Sequence, residues 1–188
     1  MDNISTLDKA QSDMYNGYAF GSLGVVTSGS IWLISTIISY SYSSSQAIWT
    51  LLIGGVLINP VSKLLGIAIG LKGPAVNNPL KNLALEGTIW MIMCIPMAYG
   101  LSFQNTEWFF QAMLLIIGGR YLTFATVFGN KLFWILGATL GFSAYLLFRF
   151  KVQSSGSLLT GALIEIVFGV IMYFIYRKSQ LKAEINEY

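Results

Sequence analysis

The sequence contains no histidine, and only one of its 188 residues is a cysteine. Without an imidazole, the chain cannot build a Ser-His or Cys-His catalytic pair, a histidine metal site or a His-ligated haem. A single cysteine, Cys94, cannot form an internal disulfide. It lies within an apolar run, where a buried free cysteine behaves as a small hydrophobic residue. We therefore expect no cofactor, no metal site and no cysteine chemistry.

Charged residues are scarce as well. Asp, Glu, Lys and Arg make up 10% of the chain, whereas soluble domains carry about a quarter. Apolar residues make up 55%, and they occur in blocks near the length of about 20 residues that crosses a bilayer as a helix. The sequence therefore predicts an all-α, polytopic transmembrane bundle. The net charge of +3 then marks cytoplasmic helix ends rather than nucleic-acid binding.

The pattern predicts six transmembrane helices, at residues 18–40, 47–71, 82–103, 108–128, 131–148 and 156–176. The second span is expected to be interrupted at Asn59-Pro60, and Pro96 lies halfway along the third. Residues 1–17 are polar and are expected to form a short cytosolic lead. Residues 177–188 are expected to form a cytosolic tail, which leaves residues 18–176 as a single membrane domain.

Basic residues predict the orientation of these spans. Seven of them lie in the segments that share one side with both termini, and only Arg149 and Lys151 lie on the other side. The positive-inside rule therefore predicts that both termini are cytoplasmic. Aromatic residues are expected to form a belt at the outer boundary; they are Tyr40, Tyr42, Trp49, Phe103, Trp108 and Phe109.

Four ionisable residues fall within the predicted spans: Lys63, Glu86, Arg120 and Glu165. At 1.5 Å per residue, Glu165 lies about 12 Å and Arg120 about 18 Å from the outer end of its span, with Glu86 and Lys63 near 24 Å. An unpaired charge at such depth is costly, so these residues should face the bundle interior or a wet cavity. The depths predict one neutral interior site in which Arg120 and Glu165 meet.

Alternatives remain for each of these residues. The Arg120–Glu165 pair can be a structural ion pair that holds two helices in register, or part of a substrate or proton path. Lys63 and Glu86 can instead reach the inner headgroups. Asn59-Pro60 can expose backbone groups for ligand binding, as broken helices of transporters do, or it can be a packed proline kink.

Glycines at helical spacing predict close contacts between helices. They occur as Gly66-x-x-x-Gly70, as Gly137-x-x-x-Gly141 and as Gly118-Gly119 beside Arg120. Such pairs let backbones approach within a bundle or across a homodimer.

The stretch Asn78-Pro79-Leu80, the region 118–123 and the Gly-rich fifth span resemble a bacterial family of six-helix membrane proteins of unknown function. The resemblance implies a location in the bacterial inner membrane. It supplies no activity, cofactor or catalytic residue.

These observations favour a small transporter or channel with a polar site at mid-membrane. We expect that site to comprise Arg120, Glu165, Glu86, Asn59 and Lys63, with Gln111 and Thr123 adding hydrogen bonds, and to accept a small polar or anionic substrate. The alternative is a non-catalytic membrane subunit or sensor that binds a protein partner or lipid. An enzyme is less favoured because no nucleophile–base pair or metal-ligand cluster is visible.

Overall fold

The computed structural model describes residues 6–186, which are all-helical apart from turns and loops. A single 3-10 turn, Ala19–Gly21, joins the first helix to the second. The seven α-helices of this part of the chain are α1 Thr6–Gly17, α2 Ser22–Ser41, α3 Ser44–Ala68, α4 Leu80–Ser102, α5 Thr106–Phe128, α6 Leu132–Arg149 and α7 Ser154–Asn186. Helices α2 to α7 are long and apolar enough to span a membrane. The predicted six-helix membrane bundle is confirmed.

Helices α2 and α5 form the centre of the bundle and are its most buried spans. Helix α7 packs along α2 and also touches α5 and α6, while α6 packs along α5. Helix α3 packs on α2, and α4 packs on α5. Because α3 and α4 have few other neighbours, most of their surface is exposed. The bundle therefore has a tight half around α2, α5, α6 and α7 and a loose half at α3 and α4.

Glycines bring α2 and α7 into close contact. A Cβ at Gly29 of α2 would lie 2.8 Å from the backbone nitrogen of Ile166. On α7, a Cβ at Gly161 would lie 2.9 Å from the Trp32 ring, and one at Gly169 would lie 2.9 Å from the Val26 nitrogen. Small residues at these positions let the two backbones approach, as is common between membrane helices.

The contact between α5 and α6 depends on the predicted glycines. A Cβ at Gly118 would lie 2.8 Å from the carbonyl oxygen of Gly137, and one at Gly137 would lie 2.5 Å from the carbonyl oxygen of Gly118. The prediction is wrong for Gly70, which has positive φ beyond the end of α3 and faces open space.

Helix α3 runs without a break through Asn59 and Pro60, contrary to the predicted interruption. Helix α4 likewise continues through Pro96. A proline removes only one backbone donor, and the rest of the helical ladder stays intact. The Ser62 hydroxyl donates a hydrogen bond to the Asn59 carbonyl at 3.0 Å, which adds a local contact beside the proline.

The segment expected to form a polar lead contains helix α1, which packs across one end of the bundle. Met14 is fully buried there, and Gln11 donates to the Thr126 carbonyl at 2.7 Å. The Asp13 carboxylate accepts hydrogen bonds from the backbone N–H of Ala75 at 2.9 Å and from the Asn78 side chain at 2.7 Å. Helix α1 is thus bound both to α5 and to the α3–α4 loop.

The C-terminal tail likewise continues helix α7 beyond Tyr176, as far as Asn186. The Tyr15 and Ser179 hydroxyls lie 3.4 Å apart, and Gln180 donates to the Asn16 side chain at 2.9 Å. Helix α1 and the end of α7 therefore lie at the same end of the bundle, which we call the termini end.

A left-handed turn joins α1 to α2. Ala19, Phe20 and Gly21 have φ angles of 46°, 59° and 71°, and non-glycine residues adopt this conformation at a cost of about 1–2 kcal/mol each. Phe20 is fully buried and packs edge-on against the rings of Phe128 and Phe133. The burial of this ring offsets the strain of the turn.

The aromatic residues expected at the outer boundary divide between surface and core. Tyr40, Tyr42, Trp49 and Phe103 are largely exposed at the end opposite the termini. Phe109 is fully buried and packs on Phe110 in the core, so its assignment to the belt is wrong.

We expect Gly137→Ala to lower the free energy of unfolding by about 1–3 kcal/mol, because the added methyl group must displace the backbone of α5. Unfolding by SDS from mixed micelles, followed by tryptophan fluorescence, measures the change. Gly55→Ala is the matched control, since a Cβ at this helical position meets nothing within 4 Å. Equal stabilities of the two variants would contradict the close α5–α6 contact.

Candidate functional site

Glu165 of α7 lies at the centre of the bundle and is fully buried. Its Oε1 accepts a hydrogen bond from the Tyr121 hydroxyl of α5 at 2.9 Å. The Ser28 side chain of α2 interacts with the same carboxyl group and the same tyrosine hydroxyl. The other oxygen of the Glu165 carboxyl group, Oε2, is buried without a hydrogen-bond partner. The three polar side chains join the three helices that meet at the core.

The position of Glu165 follows from the glycines of α7. Gly161, Glu165 and Gly169 are spaced by four residues, so they lie on one face of the helix. That face packs against α2, where a Cβ at Gly29 would lie 3.1 Å from the Glu165 Cβ. Eleven residues separate Glu165 from both Ser154 and Tyr176, which places it about 16 Å along the helix from each. Glu165 therefore lies at mid-depth.

Arg120 of α5 has no carboxylate partner among the described residues. Its Nη1 lies 3.8 Å from the Met91 sulfur of α4, and its guanidinium carbon lies 4.9 Å from the centroid of the Phe124 ring. Its Nε is buried without any hydrogen-bond partner. Eight residues separate Arg120 from the end of α5 at Phe128, a distance of about 12 Å. Among the described residues, the guanidinium thus contacts a sulfur and an aromatic ring but forms no ion pair.

The predicted contact between Arg120 and Glu165 does not form. Glu165 accepts a hydrogen bond from Tyr121, the residue that follows Arg120. Adjacent side chains on a helix diverge by about 100°. Tyr121 therefore points towards α7, while Arg120 leaves α5 towards α4. The prediction placed each group well inside its helix but could not decide which side of α5 faces α7.

Glu86 lies away from both groups, in a lateral groove between α4 and α5. The groove has a volume of about 450 Å³ and is lined by Leu83, Glu86, Gly87, Trp90, Gly119 and Thr123. On α4, Glu86 and the Met91 that contacts Arg120 differ by five residues, or about 140° around the axis. We call this feature the α4–α5 groove.

Helices α3 and α4 contact each other at one end and diverge from there. The Trp49 and Tyr99 rings are in contact at the end opposite the termini, with centroids 6.0 Å apart. Val56 follows Trp49 by seven residues on α3 and is 76% exposed. Ile92 precedes Tyr99 by seven residues on α4 and is 54% exposed. Residues seven apart share a helix face. The two helices therefore meet at one end and leave their facing surfaces uncovered towards the termini end, forming what we call the α3–α4 cleft.

Asn59 and Lys63 lie on the cleft side of α3. Lys63 is seven residues from Val56 on the same face, and Asn59 is one helical turn before Lys63. Both side chains are exposed, and neither bonds to Arg120 or Glu165. Asn59 lies about 13 Å from the end of α3 at Ala68, close to the depth of Arg120, and Lys63 lies about 7 Å from that end.

The five predicted site residues thus lie in separate places. Glu165 is in the core, and Glu86 lines the α4–α5 groove. Arg120 lies between α5 and α4, against Met91 and beside Gly87, whereas Asn59 and Lys63 are exposed on the cleft side of α3. Gln111 does not join them, since its side chain donates to the Val152 carbonyl at 3.2 Å near the opposite end. The Thr123 hydroxyl donates to the Arg120 carbonyl at 2.8 Å, and Thr123 lines the groove.

Sequence reasoning missed Tyr121 and Ser28, the residues that contact Glu165. A usable signal exists in the four-residue spacing of Gly161, Glu165 and Gly169, which places the carboxyl group on a close-packed face. A carboxyl group on such a face needs hydroxyl or amide partners from the neighbouring helix. Helix α2 offers them in a run of hydroxyl residues around Ser28.

The model of a family of unknown function matches residues 7–177, which covers five membrane helices and most of the sixth, α7. The chain belongs to this family, DUF7010. No curated protein matches the chain, and no solved structure matches it. Membership agrees with the resemblance seen in the sequence, and the function must be argued from the geometry.

We expect Tyr121→Phe to lower the free energy of unfolding by about 1–3 kcal/mol, because the buried Glu165 carboxyl group loses a hydrogen-bond donor. In a Glu165→Leu background the same change should cost much less, since the hydroxyl no longer has that acceptor. A double-mutant cycle of SDS unfolding measures the coupling.

Tyr145→Phe serves as the control for this cycle, because Tyr145 is 61% exposed and its change should stay within about 0.5 kcal/mol. An equal cost of Tyr121→Phe in both backgrounds would show that the hydrogen bond does not stabilise the bundle.

Proposed function

We propose that this protein is a small transporter that binds an anionic substrate in the α3–α4 cleft, with Arg120 as the principal contact. The observation that carries the proposal is the surroundings of Arg120. A guanidinium about 12 Å from the helix end contacts a sulfur and a ring but no carboxylate, and its Nε has no partner.

The cost of a membrane-embedded charge supports an anionic ligand. An arginine at the bilayer centre costs at least a few kcal/mol unless it is paired or hydrated. The planar guanidinium fork suits carboxylate and phosphate groups, which accept two hydrogen bonds at once. An anion in the cleft would neutralise Arg120 and satisfy its unused donors.

The composition of the cleft also favours an anion. Lys63 adds a second positive charge to the α3 side, and the Asn59 amide adds a donor at about the depth of Arg120. Glu86, the ionisable carboxylate of α4, lines the groove on the other side of that helix. The cleft side of α3 and α4 is therefore positively charged.

Glu165 has a separate role in this proposal. Its carboxyl group is held behind Tyr121, away from the cleft. It would act as a counter-charge to Arg120 at longer range when the cleft is empty, and it would keep the α2–α5–α7 core rigid while α3 and α4 move.

The loose half of the bundle supports a moving element. Helix α3 and helix α4 contact each other sparsely, and α1 binds the loop between them through Asp13. Opening and closing of this pair would change access to the cleft from the termini end. The excess of basic residues at that end supports cytoplasmic termini, and the family resemblance supports the bacterial inner membrane.

A non-catalytic membrane subunit or sensor is the second candidate. The exposed polar groups of α3, Asn59 and Lys63, favour it, because a helix of another protein, or of a second copy of this chain, could cover them. Purification in mild detergent distinguishes the candidates: a stoichiometric partner protein favours the subunit, whereas an active lone chain favours the transporter.

Arg120→Leu should reduce anion transport at least tenfold, since a lost hydrogen bond to a charged group is worth about 1.5–3 kcal/mol. Proteoliposomes on a solid-supported membrane are tested with phosphate, acetate, lactate and citrate, and transport is recorded as transient current. Insertion and helicity should be unchanged, as checked by circular dichroism.

Arg149→Leu is the matched control, because it removes the same charge from the exposed end of α6 and should leave the current unchanged. The proposal would be wrong if no anion of this panel produced a current, or if Arg120→Leu and wild type gave equal currents.

A further inference from the structure

Glu86 is a carboxylate at membrane depth with no hydrogen bond or ion pair to any described residue. It is exposed, and six residues separate it from the start of α4 at Leu80, about 9 Å along the helix. Side chains tilt towards the N-terminal end of a helix, so the carboxylate lies closer to the termini end than its Cα does. It therefore reaches towards the headgroup level of the leaflet at that end.

The α4–α5 groove extends from Glu86 and is otherwise almost wholly apolar. Gly87 and Gly119 line it, and both are closely packed: a Cβ at Gly87 would lie 2.9 Å from the Thr123 hydroxyl oxygen, and the Trp90 ring lies over Gly119. Its volume of about 450 Å³ is open on the side of the bundle. An occupant must therefore reach it laterally, from within the bilayer.

These features define a ligand with an apolar chain and a cationic head. The carboxylate favours a positive partner, because opposite charges attract more strongly at the edge of the bilayer than in bulk water. The exposed face of Trp90 adds a surface on which an ammonium group can rest by cation–π attraction. A primary ammonium suits the site best, since it can also donate hydrogen bonds to the carboxylate.

We propose that the α4–α5 groove binds a phospholipid whose headgroup carries a primary ammonium, with the ammonium on Glu86 and Trp90 and an acyl chain along the apolar wall of the groove. Glu86 points away from Arg120, because Glu86 and the Met91 that contacts Arg120 lie about 140° apart around α4. This lipid site does not depend on the proposed transport activity.

Native mass spectrometry of the delipidated full-length chain tests the site. Phosphatidylethanolamine is titrated in parallel with phosphatidylglycerol of the same acyl chains, which lacks the ammonium. Wild type should bind phosphatidylethanolamine about tenfold more tightly. Glu86→Gln should weaken that binding about tenfold, and Trp90→Leu should weaken it about threefold.

Three further variants make the result specific. Glu107→Gln removes the same charge near the opposite end of the bundle and should bind like wild type. Leu83→Trp keeps Glu86 but fills the groove, and it should also lose the lipid. Arg120→Leu should retain it, which separates this site from the anion cleft.

Equal binding of the two lipids, or unchanged phosphatidylethanolamine binding in Glu86→Gln, would overturn the proposal. Dodecylamine, a single-chain amine, is titrated as an alternative occupant. The assignment to a phospholipid would be wrong if dodecylamine bound in a Glu86-dependent way while phosphatidylethanolamine did not.

Discussion

A carboxyl group on the close-packed face of α7 constrains the whole bundle. The glycines that bring α7 against α2 also bring Glu165 into the contact, where water cannot reach it. Unpartnered burial of such a group is costly, so α5 must present Tyr121 and α2 must present Ser28 at the same depth. This polar contact and the glycines of α2 and α7 together hold the three central helices in register.

This constraint separates the two charges that the sequence places near mid-membrane. Once Tyr121 points towards α7, the geometry of the helix directs Arg120 to the other side of α5. Arg120 then contacts Met91 and Phe124, outside the polar core. The Glu165 carboxyl group lies within the tight half of the bundle, and the Arg120 guanidinium lies against α4 of the loose half. This division leaves the guanidinium against α4 and outside the polar core, with its Nε buried.

Helix α1 and the turn that follows it pack across the termini end of the bundle. Helix α1 binds the α3–α4 loop through Asp13, and the left-handed turn places Phe20 among the rings of α5 and α6. Strain in this turn is maintained because the buried ring and the contacts of α1 hold the backbone on both sides. The connection therefore joins the loose pair of helices to the rigid part of the bundle.

Hydrophobic length and scarcity of charge determined the six membrane helices, because a helix is the one structure that lets a single apolar segment satisfy its own backbone in lipid. Glycine spacing also predicted the contact between Gly118 and Gly137. Position along each helix followed from residue number, and the structure has Arg120 and Glu165 at least eight residues from the ends of α5 and α7. Only the tertiary structure decided azimuth: which side of each helix meets which neighbour. That choice depends on the packing of all six helices at once, and it separated Glu86 from Arg120 and paired Glu165 with Tyr121. The structure also showed that α3 continues unbroken through Pro60.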